Sequence, residues 1–424
     1  MRTLTIVLAL LLTTSAHADN WPSWRGPTLN GVAPSGNYPV SWTKTENVTW
    51  KIALPGKGTS TPILWGEQII LTCQQAGRNT AMSLDRSGKI TWKASVGGSG
   101  IKGKHRKASG SNPSAITDGR HIYTYFKSGD LACLTLAGKI VWQTNLQKAW
   151  GKDTLWWDLG TSPVLSANRV LIAVMQTGGS YVAAFDKATG KPVWKRDRDL
   201  EAPLEAAQSY TTPIVLKRGN RETLLVLGAD HVTAHDVTTG KETWRVGGLN
   251  PTGQKYFRSI SSPVLAGDLL LAPYSRGGTL TAIRLGGSGD VTKSHVAWEN
   301  KGGAAADVPT PIVSGNRVFV CSDRGKLTCL DAKTGKTLWS GVTEKNRTGY
   351  TSSPILAGGR IYLTREDGKT FVLESGNSFK VVGANELGEF TVATPIFSQG
   401  QILLRTTEHL YCIGKRTATP AAGR

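Results

Sequence analysis

Four residues could in principle transfer protons to or from a substrate: His105, Asp153, Asp158 and Glu205. A histidine and a carboxylate form an acid–base pair when their side chains meet and their pKa values lie near the working pH. The chain has 7 histidines and 30 acidic residues, however, so such combinations arise by chance. No complete catalytic constellation is recognised, and the sequence favours a binding protein over an enzyme.

The cysteines could hold a metal, form disulfides or act as redox groups. They are Cys73, Cys133, Cys321, Cys329 and Cys412, with no CxxC spacing and no adjacent pair. In an oxidising compartment an odd number leaves at least one free thiol or an intermolecular bridge. Cys133, Cys329 and Cys412 share one position of a repeat described below, so we expect compact buried side chains there. A metal or redox role is the less favoured alternative.

Basic and aromatic side chains alternate in the least repetitive stretches of the chain. Such a pattern can bind an anionic or sugar-containing partner through charge and ring stacking. The candidate partner-binding residues are Lys102, Lys104, His105, Arg106, Trp150, Trp156, Trp157, Tyr256, Arg258, Arg347 and Tyr350. The alternative is structural: Trp156 and Trp157 would anchor their loop, and the basic run from Lys102 to Lys107 would be a solvated segment.

A repeat of 41 to 51 residues runs through the chain and predicts the fold that positions these stretches. Its marker is Thr or Ser, then Pro, then two apolar residues; the second copy, Asn112-Pro113-Ser114-Ala115, is degraded. The marker prolines are Pro62, Pro113, Pro163, Pro213, Pro263, Pro311, Pro354 and Pro395. Short alternating strands separated by turn residues follow each marker. We therefore predict an all-β protein, an eight-bladed β-propeller of four-stranded antiparallel blades.

The turn before the last strand of a unit has the clearest signature, Asp-x-x-x-Gly followed four residues later by Trp. Clear copies run from Ala184 to Trp194, from Ala234 to Trp244 and from Cys329 to Trp339. The Asp can bond to turn amides, and the Gly can adopt a positive φ. The first position of the motif is small or compact in all units: Ser83, Cys133, Ala184, Ala234, Ala282, Cys329, Val372 and Cys412. We expect each Trp to pack across the neighbouring blade.

The last unit ends after its third strand, and the missing fourth strand is available near the N-terminus. The stretch from Val48 to Leu54 has the required alternating pattern. We predict that this strand pairs with the C-terminal unit and closes the ring, because closure removes open sheet edges.

The repeat resembles the quinoprotein-type tryptophan-docking propellers, a family that includes the pyrroloquinoline-quinone (PQQ) dehydrogenases and the propeller subunit of the outer-membrane β-barrel assembly machinery. The stretch from Trp21 to Gly31 is also similar to the start of many exported PQQ-like repeat proteins.

The resemblance implies different functions for its two branches. The dehydrogenase branch implies PQQ with calcium or a lanthanide, held by Glu, Asn and Asp beside a vicinal disulfide. This chain has no adjacent cysteines and no CxxCH haem motif, so no cofactor is expected, and PQQ with calcium belongs only to the alternative interpretation. The assembly branch implies partner proteins held by rim loops, although the lipid-anchor cysteine is missing. A carbohydrate binder, stacking sugars on Trp150, Trp156, Trp157 and Tyr256, is a further alternative.

The N-terminus is typical of export. Arg2, a short apolar run and Ala16-His17-Ala18 predict a signal peptide over residues 1–18, cleaved between Ala18 and Asp19. The remaining chain divides into an extension (19–47), the propeller (48–416) and a tail (417–424). We expect a periplasmic or secreted monomer without a transmembrane segment. Loss of Arg2 lowers the net charge from +20 to +19, which favours an envelope protein or an anionic polymer as partner. No motif supports sequence-specific nucleic-acid binding.

Overall fold

The computed structural model describes residues 20–98, 105–274, 278–301 and 303–417, and eight sheets form the blades of a propeller. The first strand, β1 (Val48–Ala53), belongs to the last blade. From the inner to the outer strand, blade 1 contains β2 (Ile63–Trp65), β3 (Gln68–Gln75), β4 (Arg78–Leu84) and β5 (Ile90–Gly98). Blade 2 contains β6 (Ile116–Thr117), β7 (His121–Tyr125), β8 (Asp130–Thr135) and β9 (Ile140–Asn145), and helix α1 (Leu146–Trp150) follows it. Blade 3 contains β10 (Val164–Leu165), β11 (Arg169–Val174), β12 (Tyr181–Asp186) and β13 (Pro192–Asp197).

Blade 4 has an additional outer strand that comes from the following blade. Its strands are β14 (Ile214–Arg218), β15 (Arg221–Gly228), β16 (His231–Asp236), β17 (Glu242–Val246) and, paired in parallel to β17, β21 (Gly289–Asp290). Blade 5 contains β18 (Val264–Ala266), β19 (Leu269–Tyr274), β20 (Thr279–Arg284) and β22 (Val296–Lys301), with helix α2 (Thr292–His295) before its outer strand.

The last three blades complete the ring. Blade 6 contains β23 (Ile312–Ser314), β24 (Arg317–Cys321), β25 (Lys326–Asp331) and β26 (Thr337–Val342). Blade 7 contains β27 (Ile355–Ala357), β28 (Arg360–Thr364), β29 (Lys369–Glu374) and β30 (Val381–Glu386). Blade 8 contains β31 (Ile396–Ser398), β32 (Gln401–Arg405), β33 (His409–Ile413) and β1. The predicted all-β, eight-bladed propeller is therefore confirmed.

The hydroxyl residue of each marker forms a closed ring of hydrogen bonds around the central channel. Its backbone N–H donates to the hydroxyl oxygen of the equivalent residue in the next blade, at 2.9–3.1 Å. The ring consists of Thr61, Ser114, Ser162, Thr212, Ser262, Thr310, Ser353 and Thr394. The ring explains why each marker needs a short hydroxyl side chain, which brings an acceptor close to the channel axis.

The ring also corrects the predicted register of blade 2. Ser114, and not Asn112, accepts the N–H of Thr61, so Ala115 stands where the other blades have proline. Asn112 lies two residues earlier in the loop, where its Oδ1 accepts the backbone N–H of Ser109 at 3.2 Å. The prediction was wrong because it followed the proline rather than the hydroxyl.

Six docking tryptophans join their blade to the next one through an indole hydrogen bond. Trp142 Nε1 donates to the backbone oxygen of Lys187 in blade 3 at 2.8 Å. A Cβ atom at Gly190 would lie 2.5 Å from the Trp142 ring, so the close approach requires glycine there. Similar bonds to the next blade are made by Trp50, Trp92, Trp194, Trp298 and Trp339. The predicted packing of tryptophan across the neighbouring blade is confirmed.

The small residues of the repeat stand directly opposite the docking tryptophans, which explains Cys133, Cys329 and Cys412. Cys133 pairs with Trp142, and Cys412 pairs with Trp50. All five cysteines are free and buried, and burial raises the pKa of Cys133 and of Cys412 to about 12. These thiols remain protonated at neutral pH and act as compact apolar side chains.

The ring closes as predicted, because β1 pairs antiparallel with β33. Blade 7 lacks a docking tryptophan, and a residue from the N-terminal extension occupies the core beside it. Trp42 is 2% exposed and shares a core cluster with Val372 of β29. Its backbone N–H donates to Asn385 Oδ1 of β30 at 2.8 Å. The extension therefore supplies an aromatic residue that the repeat omits.

Residues 20–33 of the extension close the end of the channel opposite to the inter-blade loops. Trp21 exchanges two backbone hydrogen bonds with Leu64 of blade 1, and Ala33 donates to Leu356 of blade 7. Between these contacts, Arg25 is 1% exposed and donates to the backbone oxygens of Pro311 and Pro354, at 2.7 and 2.9 Å. We call residues 20–33 the N-terminal plug.

Candidate functional site

A blind cavity of about 440 Å³ lies at the mouth of the channel, on the face where the inter-blade loops converge. The hydroxyl ring contributes to its wall, and each of the eight inter-blade loops supplies at least one further residue. Its chemically distinctive lining residues are His105, Lys107, Trp157, Asp158, Tyr210 and Arg258. The structure therefore brings His105, Trp157 and Arg258, which were predicted from the sequence, to one cavity. We call the face that surrounds it the loop face.

The carboxylate of Asp158 is held in the cavity wall by backbone donors. Asp158 is 6% exposed, and its Oδ2 accepts the N–H groups of Ser109 and Gly110 at 2.8 and 2.9 Å. Its Oδ1 accepts the N–H of Leu159 at 2.7 Å. Burial raises the pKa of Asp158, and these bonds oppose that rise. Asp158 thereby fixes two loops against each other.

The cations of the cavity wall are already paired with carboxylates. Lys107 Nζ lies 2.5 Å from Glu366 Oε1, in the turn between β28 and β29. Arg258 Nε lies 3.3 Å from Glu205 Oε1, and its Nη2 lies 3.9 Å from Asp307 Oδ2. These pairs are partly buried, so their charges are compensated within the wall.

Beside the cavity lies a platform of exposed apolar side chains, formed by Trp156, Trp157, Leu204 and Tyr256. Their exposed fractions are 40%, 47%, 44% and 54%. Trp157 Nε1 donates to Glu205 Oε1 at 2.9 Å, and the N–H of Ala206 donates to the backbone oxygen of Lys255 at 3.0 Å. The three loops that carry the platform are therefore hydrogen-bonded to one another. We call these four residues the aromatic platform.

Leu204 of the platform begins a short 3-10 turn (Leu204–Ala207) and has a φ of +44°. The left-handed region costs a β-carbon residue on the order of 1–2 kcal/mol. The exposed leucine gains no burial that would offset this cost. Strain of this kind is often concentrated at functional sites.

Of two other predicted residues, Trp150 is half-buried against the core and Tyr350 lies in it. The Trp150 ring packs edge-on against Tyr181, with ring centres 5.3 Å apart, and it also contacts Phe185 of blade 3. Tyr350 is 2% exposed and belongs to the core cluster between blades 6 and 7. Both rings pack against the core, and Tyr350 is too buried to meet a partner.

Two further predicted residues, Arg106 and Arg347, are cations on the loop face. The Arg106 guanidinium lies 3.6 Å from the centre of the Phe390 ring. Arg347 lines an open groove together with Arg324, Lys326 and Lys345. Among the residues that the structure describes, none of these four groove cations has an ion-pair partner. We call these four residues the basic groove. Lys102 and Lys104 lie outside the described residues.

Sequence reasoning missed those residues of the candidate site that come from turns inside the blades. Glu366, Asp323 and Arg324 lie in turns between the second and third strands of blades 7 and 6. Because antiparallel strands alternate in direction, these turns share a face with the inter-blade loops. The alternation of strand direction could therefore have identified these turn residues from the sequence.

Eight docked blades and a blind cavity that opens among the inter-blade loops define a tryptophan-docked propeller. A family model described as "Outer membrane protein assembly factor BamB" matches residues 32–197 and 138–379. These matches overlap and span most of the chain, which therefore belongs to this family. A relative from Moranella endobia (strain PCIT), named outer membrane protein assembly factor BamB, is 32% identical over 124 residues. That match covers 27% of this chain and 31% of the relative, so less than a third of the relative's length is matched.

Two solved structures illustrate the breadth of the fold. BamB from Moraxella catarrhalis is 16% identical with a TM-score of 0.61, covering 86% of this chain and 99% of that chain. Quinohemoprotein alcohol dehydrogenase from Comamonas testosteroni is 12% identical with a TM-score of 0.69, covering 97% of this chain and 83% of that chain. At these identities the likeness concerns the fold alone.

The cavity residues do not fit calcium-bound PQQ, because calcium needs six to eight oxygen ligands. Asp158 accepts three backbone N–H groups, and Glu205 and Glu366 are paired with Arg258 and Lys107. Within the described ranges, one group of potential metal ligands is compact, and it is Glu389, Glu408 and His409 of blade 8. There, Lys51 Nζ already lies 2.8 Å from Glu389 Oε1.

No helix in the described part of the chain has the length and apolar character that crossing a bilayer as a helix requires. The predicted signal peptide falls on residues that the structure does not describe, so the cleavage site stays a prediction.

Proposed function

We propose that this protein is an exported, non-catalytic scaffold that holds a partner protein of the cell envelope on its loop face. The aromatic platform carries the proposal. Trp156, Trp157 and Tyr256 are 40–54% exposed, and their loops are cross-linked by hydrogen bonds. Large aromatic side chains held in a rigid, exposed arrangement are typical of the residues that dominate protein interfaces. The blades do not require these side chains, since the docking contacts are made by other tryptophans.

Family membership supports the same proposal. The matched relatives are named as outer membrane protein assembly factors, and their name describes work with other proteins. We propose that this chain also has protein partners in the envelope, after removal of its signal peptide.

The double variant Trp156→Ala/Trp157→Ala tests the proposal. The purified protein is used to capture partners from envelope extract, and the captured proteins are identified by mass spectrometry. We expect at least a tenfold loss of one reproducible partner, with little change in melting temperature. Leu338→Ala is the matched control, because Leu338 is 48% exposed on an outer strand far from the cavity. If the double variant loses stability but keeps its partner, the two tryptophans are loop anchors and the proposal fails.

A second candidate function, binding of an anionic envelope polymer, is favoured by the basic groove. Four cations without ion-pair partners among the described residues surround one groove, so a polyanion would meet little competition from internal carboxylates. We expect Arg324→Glu/Arg347→Glu to elute from an acidic-polysaccharide column at lower salt than the wild type. Lys89→Glu/Lys191→Glu makes the same charge change in turns of the opposite face. If both variants elute at the same salt concentration, net charge alone accounts for binding and the basic groove is not the site.

A further inference from the structure

The cavity at the channel mouth extends down to the hydroxyl ring, and all eight residues of that ring line it. Each is 2–6% exposed, and each hydroxyl oxygen accepts one backbone N–H. A hydroxyl group can accept and donate at the same time. In the part of the chain that the structure describes, none of the eight donates its O–H to a protein acceptor. Eight buried O–H donors therefore surround the channel axis, and a ligand with oxygen acceptors would satisfy them.

A second tier of residues lines the cavity on the side of the loops, two positions before each member of the hydroxyl ring. It consists of Thr59, Asn112, Gly160, Tyr210, Ile260, Val308, Thr351 and Val392. Ile260, Val308 and Val392 are half-buried, so their side chains give the tier an apolar part. The Thr351 hydroxyl donates to Glu366 at 2.6 Å. The second tier therefore adds apolar surface next to the donors of the hydroxyl ring.

Indole rings lie at both ends of the cavity. Trp157 stands at the rim and is 47% exposed. Trp24 comes from the N-terminal plug, lines the cavity and is half-buried. Its neighbour Trp21, by contrast, is fully buried in a core cluster. A large aromatic ring offers a flat apolar surface, so a ligand in the cavity could pack one of its faces on an indole.

The charged side chains of the cavity wall are already engaged by other protein groups. Lys107 Nζ lies 2.5 Å from Glu366 Oε1, and Arg258 Nε lies 3.3 Å from Glu205 Oε1. The carboxylate of Asp158 accepts three backbone N–H groups. An ionised ligand would lose its hydration and would also compete with these contacts, whereas a neutral ligand would leave them intact. The wall therefore favours a neutral ligand.

We propose that the cavity binds one neutral pyranose sugar, lying across the channel at the level of the hydroxyl ring. A pyranose carries oxygen atoms around its edge, and its two faces consist largely of C–H groups. The edge would accept hydrogen bonds from the hydroxyl ring in several directions, and the faces would contact Trp24 and the apolar part of the second tier. This site goes beyond the scaffold function, because holding a partner on the aromatic platform does not require it.

The first experiment measures the binding of three methyl glycosides to the purified wild-type protein by isothermal titration calorimetry. They are the methyl glycosides of glucose, galactose and N-acetylglucosamine. Sorbitol is the control, because it is rich in hydroxyl groups but has no closed ring. We expect at least one glycoside to bind saturably and at least tenfold more tightly than sorbitol. If no glycoside binds, or if sorbitol binds equally well, the proposal is wrong.

A disaccharide whose non-reducing end is the sugar that binds identifies the source of the ligand. Affinity equal to that of the methyl glycoside means that the cavity takes the end of a glycan chain. A tenfold loss means that it takes a free sugar.

The second experiment fills the apolar part of the cavity. Val392→Phe and, independently, Val308→Phe add a bulky ring there, whereas Val392→Thr keeps the size of the side chain. We expect each phenylalanine variant to lose glycoside affinity at least tenfold, and Val392→Thr to change it less than threefold. Unchanged glycoside binding in both phenylalanine variants would place the sugar elsewhere and overturn the assignment of the site.

The two proposals fail separately. If Trp156→Ala/Trp157→Ala loses the partner protein but no glycoside binds to the wild type, the scaffold function stands and the sugar site is wrong. If a glycoside binds and Val392→Phe loses it, but no partner depends on the platform, the sugar site stands and the scaffold function fails.

Discussion

Single residues of the repeat are chosen by contacts between blades. A small residue such as Cys133 leaves room for the docking ring opposite it, and a hydroxyl such as Thr212 accepts the N–H of the preceding blade. The Cys133–Trp142 pair lies within blade 2 and positions the indole that docks on blade 3, whereas the Thr212 bond joins blade 3 to blade 4. Each residue therefore stabilises the ring and not only its own sheet. Their repetition explains why the fold is visible in the sequence.

The burial of the docking tryptophans predicts different costs of truncation. Trp194 is 7% exposed and its Nε1 donates to the backbone oxygen of Val237 at 3.0 Å, whereas Trp339 is only half-buried. We expect Trp194→Ala to lower the free energy of unfolding by roughly 3–5 kcal/mol, the usual range for a buried large aromatic. We expect Trp339→Ala to cost about half as much. Guanidinium denaturation measures both, and equal losses would show that exposure does not set the cost.

We expect that replacing Asp323 by a neutral residue increases the stability of the protein, and that this gain depends on pH. Burial and the neighbouring Asp307 raise the pKa of Asp323 from 3.8 to about 6. Its charged form is thus less stable in the folded state, so the group costs stability as the pH rises from about 4 to 6 and beyond. We expect Asp323→Asn to raise the free energy of unfolding by about 1–2 kcal/mol at pH 7.5. Thermal melts at pH 7.5 and pH 4 check this, since the difference must vanish at the lower pH.

At the scale of elements, the seam between β1 and β33 is held by one partly buried carboxylate as well as by the sheet. Glu389 accepts hydrogen bonds from Lys51 of β1 and from Tyr411 of β33, at 2.8 and 2.6 Å. The Lys51 ammonium also lies 5.0 Å from the centre of the Tyr411 ring. In the other blades the outer strand follows the third strand along the chain. β1 has no such connection to β33, and this charged group helps to hold it there.

The seam predicts a loss of stability in acid. Burial alone would raise the pKa of Glu389, but hydrogen bonds from Lys51, Tyr411, Thr406 and His409 lower it from 4.5 to about 2. Its stabilisation is complete above pH 4.5 and is lost as the pH falls towards 2. We expect Glu389→Gln to cost roughly 1–3 kcal/mol at pH 7, as for a hydrogen-bonded charge, and almost nothing near pH 2. Glu408→Gln, at an exposed neighbour, is the control, and equal costs of the two variants would contradict this account.

The sequence predicts the blades and their closure because each contact is repeated at a fixed spacing. It does not predict which loop aromatics are free, since Trp150 and Trp157 belong to the same loop and differ only in what the fold places beside them. Trp150 meets the Tyr181 and Phe185 rings of blade 3, whereas Trp157 meets solvent at the cavity. The carboxylate that pairs with Lys107 at the cavity, Glu366, also comes from a turn that is distant in sequence.

At the scale of the whole molecule, the positive charge of the loop face is compensated by carboxylates in one place and not in another. The chain has 50 basic and 30 acidic residues, and the cations that line the channel mouth, Lys107 and Arg258, are paired with carboxylates. The cations of the basic groove, elsewhere on the same face, have no ion-pair partner among the residues that the structure describes. One face can therefore present an apolar platform and a basic groove to a single large partner.

The whole ring depends on its N-terminal residues in two separable ways. A chain that begins at residue 48 keeps β1 but loses the N-terminal plug and Trp42, which is 2% exposed in the core beside blade 7. A chain that begins at residue 55 loses β1 as well, so the edge of β33 is left unpaired.

We expect the chain that begins at residue 48 to melt cooperatively at a lower temperature than the full chain, because it loses buried apolar contacts and retains closure. We expect the second to aggregate or to melt without cooperativity, because an open edge invites pairing with other chains. Circular-dichroism melts and size-exclusion chromatography distinguish the two results. Cooperative melting of the shorter chain at the full-length temperature would show that closure by β1 is dispensable.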